Sequence, residues 1–287
     1  MKPLCAITGS GGYVGGAVKN HFAARGWEIL ELTRRPGPGA RAVAFQLGAE
    51  IAPRTLAGAD ALVHCAYDFQ PLRWADIHAL NVEGTRKLFS AARAAGVGKL
   101  ICVSSISAYA GCRSLYGRAK LEIEQIALEH GALVVRPGLV YGSQPAGMFG
   151  RLVAQVRKSS RLPVFGRGTQ AQFLVHQEDL TVFIEKTAAG KMAAAPRVLT
   201  AAHERPWPFR QLLSEIARGL DKNVKFFPLP WRLVWLGLKS AESCGLKMSF
   251  RSDSLVSLVY QNPQPDFSAN AKAGLTCRPF EIAMLRL

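Results

Sequence analysis

Apolar and polar positions in the first half of the chain alternate between two periods. Leu4–Thr8 is a short apolar run that reads as a strand and leads into a glycine-rich turn, and Val14 to Arg25 follows with helical spacing. Glu28–Thr33 alternates in steps of two and predicts a second strand. Ala42–Leu47 predicts a weaker third, Ala61–Cys65 a fourth, Leu100–Ser104 a fifth, and Leu133–Arg136 a sixth that ends at Pro137-Gly138. Between the fourth and fifth, Ile77, Leu80, Gly84, Leu88, Ala91 and Ala95 recur at three- and four-residue steps, which predicts one helix of about five turns. Strands that alternate with helices imply an α/β fold, a doubly wound parallel sheet with both faces covered.

The second half has a different rhythm. Gly150–Ser159, Asp179–Ala188, Phe209–Leu220 and Trp231–Ser240 read as helices, with the short apolar runs Phe173–His176, Val198–Thr200 and Lys225–Phe227 between them. Prolines and aromatics become denser at Pro206, Trp207, Pro208, Pro228, Pro230, Trp231 and Trp235. The expected organisation is a core over 1–145, to which 173–200 returns, and a smaller α+β lobe that makes up most of 146–287. Neither an internal repeat nor a low-complexity tract interrupts this pattern.

Composition narrows the class. The 287 residues are 49% hydrophobic and 20% charged, which excludes disorder, collagen and coiled coil. Six cysteines at 5, 65, 102, 112, 244 and 277 form no C-x-x-C pair and have no histidine at zinc spacing, so neither a disulfide framework nor a metal site is supported. Leu4–Thr8 is too short for a signal peptide's apolar region, and no run reaches the length of a membrane span. The expected location is a reducing cytoplasm. A net charge of +16 has two readings: a basic surface without a dedicated partner, or attraction of anions such as a phosphorylated cofactor, a phosphorylated substrate or a membrane surface. No aromatic-rich motif or basic stripe supports nucleic-acid binding.

Candidate chemistry begins after the first strand. Thr8-Gly9-Ser10-Gly11-Gly12-Tyr13-Val14-Gly15 spaces Gly9, Gly12 and Gly15 as T-G-x-x-G-x-x-G and opens a helix. Such glycines let backbone approach a pyrophosphate, and the helix N-terminus supplies free N–H groups with partial positive charge. A site for NAD usually ends the second strand in a carboxylate that binds the ribose 2′-hydroxyl. Here Thr33-Arg34-Arg35 stands there instead. Two cations suit a 2′-phosphate and hence NADP, with NAD the alternative; a solvated basic turn is the plainer reading.

A second constellation lies downstream. Leu100–Ala110 is a strand that ends in serines, and Tyr116-Gly117-Arg118-Ala119-Lys120 follows on a helical stripe. Tyr116 and Lys120 are one turn apart and share a face. Hydride transfer to or from a nicotinamide requires a proton to move at the substrate oxygen. A tyrosine of pKa about 10 is a poor base near neutrality, and a nearby ammonium favours its phenolate. A serine hydroxyl can orient the carbonyl oxygen and stabilise developing charge.

With these residues in place, the chain resembles an extended short-chain dehydrogenase/reductase of the NAD-dependent epimerase/dehydratase group, with a Rossmann-type core. Besides the glycine turn, the resemblance rests on Ala59-Asp60-Ala61-Leu62-Val63-His64-Cys65-Ala66, Asn81-Val82-Glu83-Gly84-Thr85, Arg136-Pro137-Gly138-Leu139-Val140-Tyr141-Gly142 and Phe173-Leu174-Val175-His176-Gln177-Glu178-Asp179-Leu180, in family order. It implies Tyr116 as general acid/base, Lys120 as its partner and ribose ligand, and Ser105 as the active hydroxyl, with Ser104 the weaker candidate. It further implies a cofactor site formed by Thr8, Gly9, Gly12, Tyr13, Val14, Gly15, Thr33, Arg34, Arg35, Gln46, Cys65, Ala66, Ser104, Tyr116, Lys120, Pro137 and Val140. Asn81 is either a site residue or a helix-packing amide, and His64 is expected to be structural.

The implied activity is interconversion of a hydroxyl and a ketone, either by a sugar-nucleotide epimerase or by an NADP-dependent reductase of a non-sugar or lipid-like carbonyl. A non-catalytic NADP sensor is a further alternative. Several departures bear on this. Tyr116 follows Ser105 by only eleven positions, which trims one rim of the pocket. Ile106-Ser107 replaces the acidic pair of the family's 4,6-dehydratases. Gly168–Gln172 lacks the arginine that contacts a diphosphate in many sugar-nucleotide members, leaving Arg151, Arg157, Arg161 or Arg167 as substitutes. The apolar stretch 226–238 reads as a buried helix, as a pocket wall for an apolar substrate, or as a membrane-surface contact. Family members often dimerise through two helices, here near 74–95 and 114–130.

Overall fold

A computed structural model of the chain describes residues 2–37, 41–191, 197–246, 248 and 250–286. The core begins with β1 (Leu4–Thr8), α1 (Tyr13–Ala24), β2 (Glu28–Thr33), β3 (Ala42–Ala44) and β4 (Ala61–His64). A continuous helical stretch comprises α2 (Trp74–Ile77), a π-turn (His78–Val82) and α3 (Glu83–Ala94). There follow β5 (Lys99–Val103), α4 (Leu115–Glu129), β6 (Leu133–Pro137), β7 (Leu139–Tyr141), α5 (Gly147–Lys158), β8 (Arg161–Phe165), β9 (Ala171–Gln172), β10 (Leu174–His176), α6 (Gln177–Ala188) and β11 (Val198–Ala201). The chain continues through β12 (Trp207–Pro208), α7 (Phe209–Gly219), β13 (Lys225–Leu229), α8 (Trp231–Ser243), α9 (Ser252–Val259) and α10 (Asn270–Ala273).

Seven strands pair in parallel in the order β11-β6-β5-β4-β1-β2-β3. The chain starts at β1 and winds outward both ways, so the order reverses between β1 and β4 and opens a crevice at their carboxyl ends. Alternate strand residues point to opposite faces. Leu62 therefore packs with Leu88, Phe89, Ile123 and Ile126 under α3 and α4, while its neighbour Val63 packs with Ile7, Val18, Phe22 and Phe183 under α1 and α6. Each such side chain, fully buried, contributes roughly 1.5–3 kcal/mol. A third cluster, around Tyr141, Phe149, Leu162, Leu212, Ile216 and Phe280, builds the smaller lobe.

Several expectations change. The third strand stops at Ala44, because Phe45 and Leu47 turn down into the core beside Leu32. The long helix is not regular: its π-turn places Asn81 and Val82 on the buried side, a local widening that often marks functional segments. Phe173–His176 does not reach the central sheet, since β10 pairs with β7, and the strand that joins it beside β6 is β11. Residues 192–196 of the expected return segment lie outside the described residues. Ala273 and Leu275 come back to the sheet's second face, so the C-terminal part is not purely a separate lobe.

One buried ion pair fixes α4 to the sheet. Glu124 accepts from Arg136 Nε at 2.8 Å and its terminal nitrogen at 2.6 Å, and from the Ser104 hydroxyl at 2.5 Å. Removing one partner strands the other charge, which typically costs about 3–5 kcal/mol. Arg136→Ala, which leaves the buried Glu124 carboxylate without its cation, is therefore expected to lower unfolding free energy by that amount in denaturant titration. A loss below about 1 kcal/mol, the range of an exposed pair, would show that the pair is solvated.

Candidate active site

The crevice is shaped by close backbone approach. Gly9 adopts a φ of 71°, and a Cβ there would lie 2.9 Å from the Ala66 nitrogen. A Cβ on Gly15 would lie 2.2 Å from the Gly9 carbonyl oxygen. Both positions exclude side chains, so the turn can sit against β4 and α1 can begin directly above it. Gly12 at the helix N-cap has no side-chain oxygen to cap α1, so the first N–H groups of that helix carry no side-chain cap. The hydroxyls of Ser10 and Tyr13 are buried and lack partners. Burial pushes the Tyr13 phenol above its ordinary pKa, so it is a neutral donor. Uncapped N–H groups and two orphaned hydroxyls fit the pyrophosphate of a dinucleotide.

A chain of hydrogen bonds sets the crevice floor. Thr8 Oγ1 accepts from the backbone of Cys65 (3.1 Å) and Ala66 (3.2 Å) and lies 2.7 Å from His64 Nδ1. His64 Nε2 lies 3.0 Å from Thr85 Oγ1, and that hydroxyl donates to the Asn81 carbonyl. Thr85 has used its proton, so the network assigns the imidazole proton to Nε2 and makes Nδ1 the acceptor for Thr8. The Asn81 amide in turn holds both backbone groups of Asp68, accepting at 2.7 Å and donating at 3.1 Å. His64 is thus a linker, and Asn81 anchors the loop after β4. Burial, with Lys120 nearby, pushes the His64 pKa down to about 3.

The second constellation meets the first at the end of β5. Lys120 is buried and donates to the Val103 carbonyl at 3.0 Å, with its ammonium 5.2 Å from the centre of the Tyr67 ring. Ser105, two residues past Val103, accepts from the Ser107 N–H at 3.1 Å, which leaves its own proton to donate. Ser104 is turned into the core onto Glu124, so its hydroxyl is engaged there. Tyr116 is half-buried, edge-on to Tyr67 (5.0 Å) and stacked on Phe69 (5.5 Å). Thr33 ends β2, and Arg34 and Arg35 follow it, exposed and without an ion pair among the described residues. Gln46 is exposed beyond β3, Pro137 ends β6, and Val140 lies on β7.

Residues remote in sequence complete the arrangement. Ser114 caps α4 through the Gly117 N–H, and Asp253 accepts from the N–H groups of Leu115 (2.7 Å) and Tyr116 (3.0 Å). Arg251 donates to the carbonyls of Phe69 and Pro71. α9 therefore holds both the tyrosine's helix and the aromatic loop. A cavity of ≈ 280 Å³ lies here, lined by Tyr67, Phe69, Leu72, Tyr116, Trp235 and Val256 among others. Arg113, Lys239 and Arg251 also line it, whereas no arginine from 151 to 167 does. Where a diphosphate-binding arginine was sought, Gln172 pairs with Gln261.

The family model described as NAD dependent epimerase/dehydratase matches residues 5–194. The chain belongs to that family. The family is described as NAD dependent, and this chain has a Rossmann-type seven-stranded parallel sheet. The chain is 24% identical over 178 residues to N-acetyl-alpha-D-glucosaminyl-diphospho-ditrans,octacis-undecaprenol 4-epimerase of Escherichia coli O157:H7, covering 55% of this chain and 53% of that protein. It is 32% identical over 188 residues to ceramide reductase of Caulobacter vibrioides, covering 62% and 58%. It therefore spans little more than half the length of these two relatives. The solved structure of MoeE5 in complex with UDP-glucose and NAD shares the fold, with a TM-score of 0.75 at 19% identity over 98% of this chain and 95% of that one.

Two outcomes are expected. An unfolded histidine takes a proton below about pH 6.5, whereas folded His64 resists until about pH 3. The unfolded state then binds more protons, so the stability contributed by neutral His64 is complete above pH 6.5. It is lost as the pH falls, by up to about 1.4 kcal/mol per unit. His64→Gln should flatten the stability profile between pH 6.5 and 4; an unchanged slope contradicts the relay. Asp253→Ala should cost about 1–2 kcal/mol, the value of a lost helix cap, in thermal or denaturant unfolding. A neutral effect would show that Asp253 does not hold α4.

Proposed function

We propose that the protein is an NAD(P)-dependent epimerase or oxidoreductase that interconverts a hydroxyl and a ketone on a sugar-nucleotide-like substrate. The reading is supported by Lys120, held by the Val103 carbonyl at the end of β5, by Ser105 two residues past Val103, and by Tyr116 one helical turn before Lys120 with its ring against Tyr67. A bound nicotinamide supplies or accepts the hydride. Tyr116 gives a proton to the carbonyl oxygen in reduction and takes it in oxidation. Lys120, held by the Val103 carbonyl, binds the ribose, and the free Ser105 proton orients the oxygen. The remaining cofactor contacts follow the same reading: Thr8, Gly9, Gly12, Tyr13, Val14 and Gly15 at the pyrophosphate, Gln46 toward adenine, and Cys65, Ala66, Pro137 and Val140 around the nicotinamide half, whereas the Ser104 hydroxyl is withdrawn onto Glu124. Arg34 and Arg35 take a 2′-phosphate, which makes NADP the preferred cofactor.

The core over 1–145 carries the cofactor, and the lobe from 146 onward, with α8 and α9, closes over the substrate. The helices at 74–95 and 114–130 are the dimer face in this reading, and the cytoplasm is the compartment, in keeping with six free cysteines. A second reading, reduction of a lipid-like carbonyl, is favoured by the glutamine pair in place of an arginine and by the Leu72, Trp235 and Val256 wall of a cavity that Arg113 and Arg251 also line. The relative named ceramide reductase points the same way, whereas the one named for undecaprenol is an epimerase of a glucosaminyl group.

Denaturing the purified protein and identifying released nucleotide separates the two. Retained NAD(P) near one per chain supports an internal redox cycle and an epimerase. Empty protein that prefers NADPH to NADH supports a releasing reductase. Binding of neither nucleotide contradicts both. Charge reversal at Arg34 and Arg35 should lower NADPH affinity at least tenfold while leaving NADH within about twofold, since an exposed ion pair is worth up to about 1 kcal/mol each. Tyr116→Phe should slow turnover by about 10²–10⁴ with nucleotide binding intact.

A further inference from the structure

We propose that the outer face of α8 is a docking surface for an anionic lipid bilayer. Leu233 and Leu236 on this helix are 68% and 57% exposed, and Leu246 and Met248 just beyond it are 60% and 44% exposed. Leu233, Leu236, Gly237 and Ser240 follow helical spacing, so the exposed side is an apolar stripe with small residues. The helix is not the buried one among the readings that its composition leaves open. Its inner side, with Trp231, Trp235 and Glu242, faces α9.

Charge selects the occupant. From Lys222 to Ser252 the chain carries six cations and one carboxylate. That carboxylate, Glu242, is buried and accepts from the backbone and hydroxyl of Ser252. Of the two carboxylates that border this segment, Asp253 is turned onto the N-terminus of α4, and Asp221 is exposed before Lys222, separated from Arg232 along the chain by β13. Arg232 and Lys239 are exposed, two turns apart, along one edge of the stripe. Apolar side chains flanked by long cations, with tryptophans alongside, suit the interface of an anionic membrane, where the cations reach headgroups and the leucines enter the acyl boundary. A second copy of the chain meets this face less well, because two-fold pairing would set Arg232 and Lys239 against cations. Among the described residues no helix is long and apolar enough to cross a membrane, so the contact is peripheral.

The surface borders the site. A groove of ≈ 500 Å³ along α8 shares Arg113, Trp235 and Val256 with the cavity that reaches Tyr116. Docking would put a bilayer-borne substrate one side chain, Trp235, from that cavity. This goes beyond the hydride-transfer reading and does not depend on it, because vesicle binding and nucleotide binding are read separately.

The test is co-sedimentation of the full chain with phosphatidylcholine vesicles, with and without phosphatidylglycerol. Each cation near such a surface is worth roughly fivefold in partitioning. Wild type should bind the anionic vesicles preferentially, and Arg232→Glu with Lys239→Glu should weaken binding by more than about 25-fold. Leu233→Glu with Leu236→Glu should abolish it. Both double variants should bind NAD(P)H as wild type does, showing an intact fold. Should either variant fail to fold, brominated lipid in anionic vesicles should still quench wild-type tryptophan emission. Equal binding to neutral vesicles, undiminished binding by both variants, or absence of quenching would overturn the proposal. So would a concentration-dependent dimer that Leu233→Glu and Leu236→Glu disrupt without any vesicle binding, which would assign the face to a second copy.

Discussion

The site depends on how the carboxyl ends of β1 and β4 are locked together. Thr8 gathers two backbone N–H groups from the β4 exit and hands its own proton to His64. His64 passes the connection to Thr85 and Asn81, and Asn81 holds Asp68. Every member of this relay is buried or half-buried, where an unmade hydrogen bond is expensive. The relay therefore has one low-energy arrangement. It fixes the floor of the glycine turn and the first residues of the aromatic loop in one step, and a neutral imidazole is the part that lets both ends be satisfied.

The second half of the chain completes what the relay starts. Loop 67–72 leaves the sheet with Tyr67 and Phe69 against Tyr116, and Arg251 takes the carbonyls of Phe69 and Pro71. Asp253, on the same short helix, takes the N–H groups at the start of α4. Core and lobe thus meet at the tyrosine, with Lys120 held from below by the Val103 carbonyl. The arrangement explains why a helix so far along the chain matters to a residue at position 116.

Much of this was legible in the residues. β1 and β2 match the expected bounds, and the helix after the glycine turn begins one residue early, because period-two and helical spacing are strong there. Tyr116 and Lys120 were visible as a pair one turn apart, and His64 as structural. The π-turn at His78–Val82 was not, since one widened turn leaves the apolar spacing nearly unchanged. β8 was hidden by Pro163 in its middle, which a strand tolerates here beside β13. Asp253 and Arg251 carry no local signal, because their partners lie more than a hundred residues away. Tyr67 had one: it directly follows Cys65-Ala66 of a recognisable strand-end motif. Composition leaves the stretch 226–238 open between a buried helix, a pocket wall and a membrane-surface contact, and α8 turns leucines outward. That distinction depends on which side α9 covers, and only tertiary structure supplies it.

The central claim is that the glycine turn and the Tyr116–Lys120 pair serve one dinucleotide. The most direct measurement is a crystal structure of the protein soaked with NADPH. The expected result places the pyrophosphate at Ser10 to Val14, the 2′-phosphate at Arg34 and Arg35, and the nicotinamide ribose within hydrogen-bond reach of Tyr116 and Lys120. A dinucleotide bound elsewhere, or one whose nicotinamide end points away from Tyr116, would contradict it.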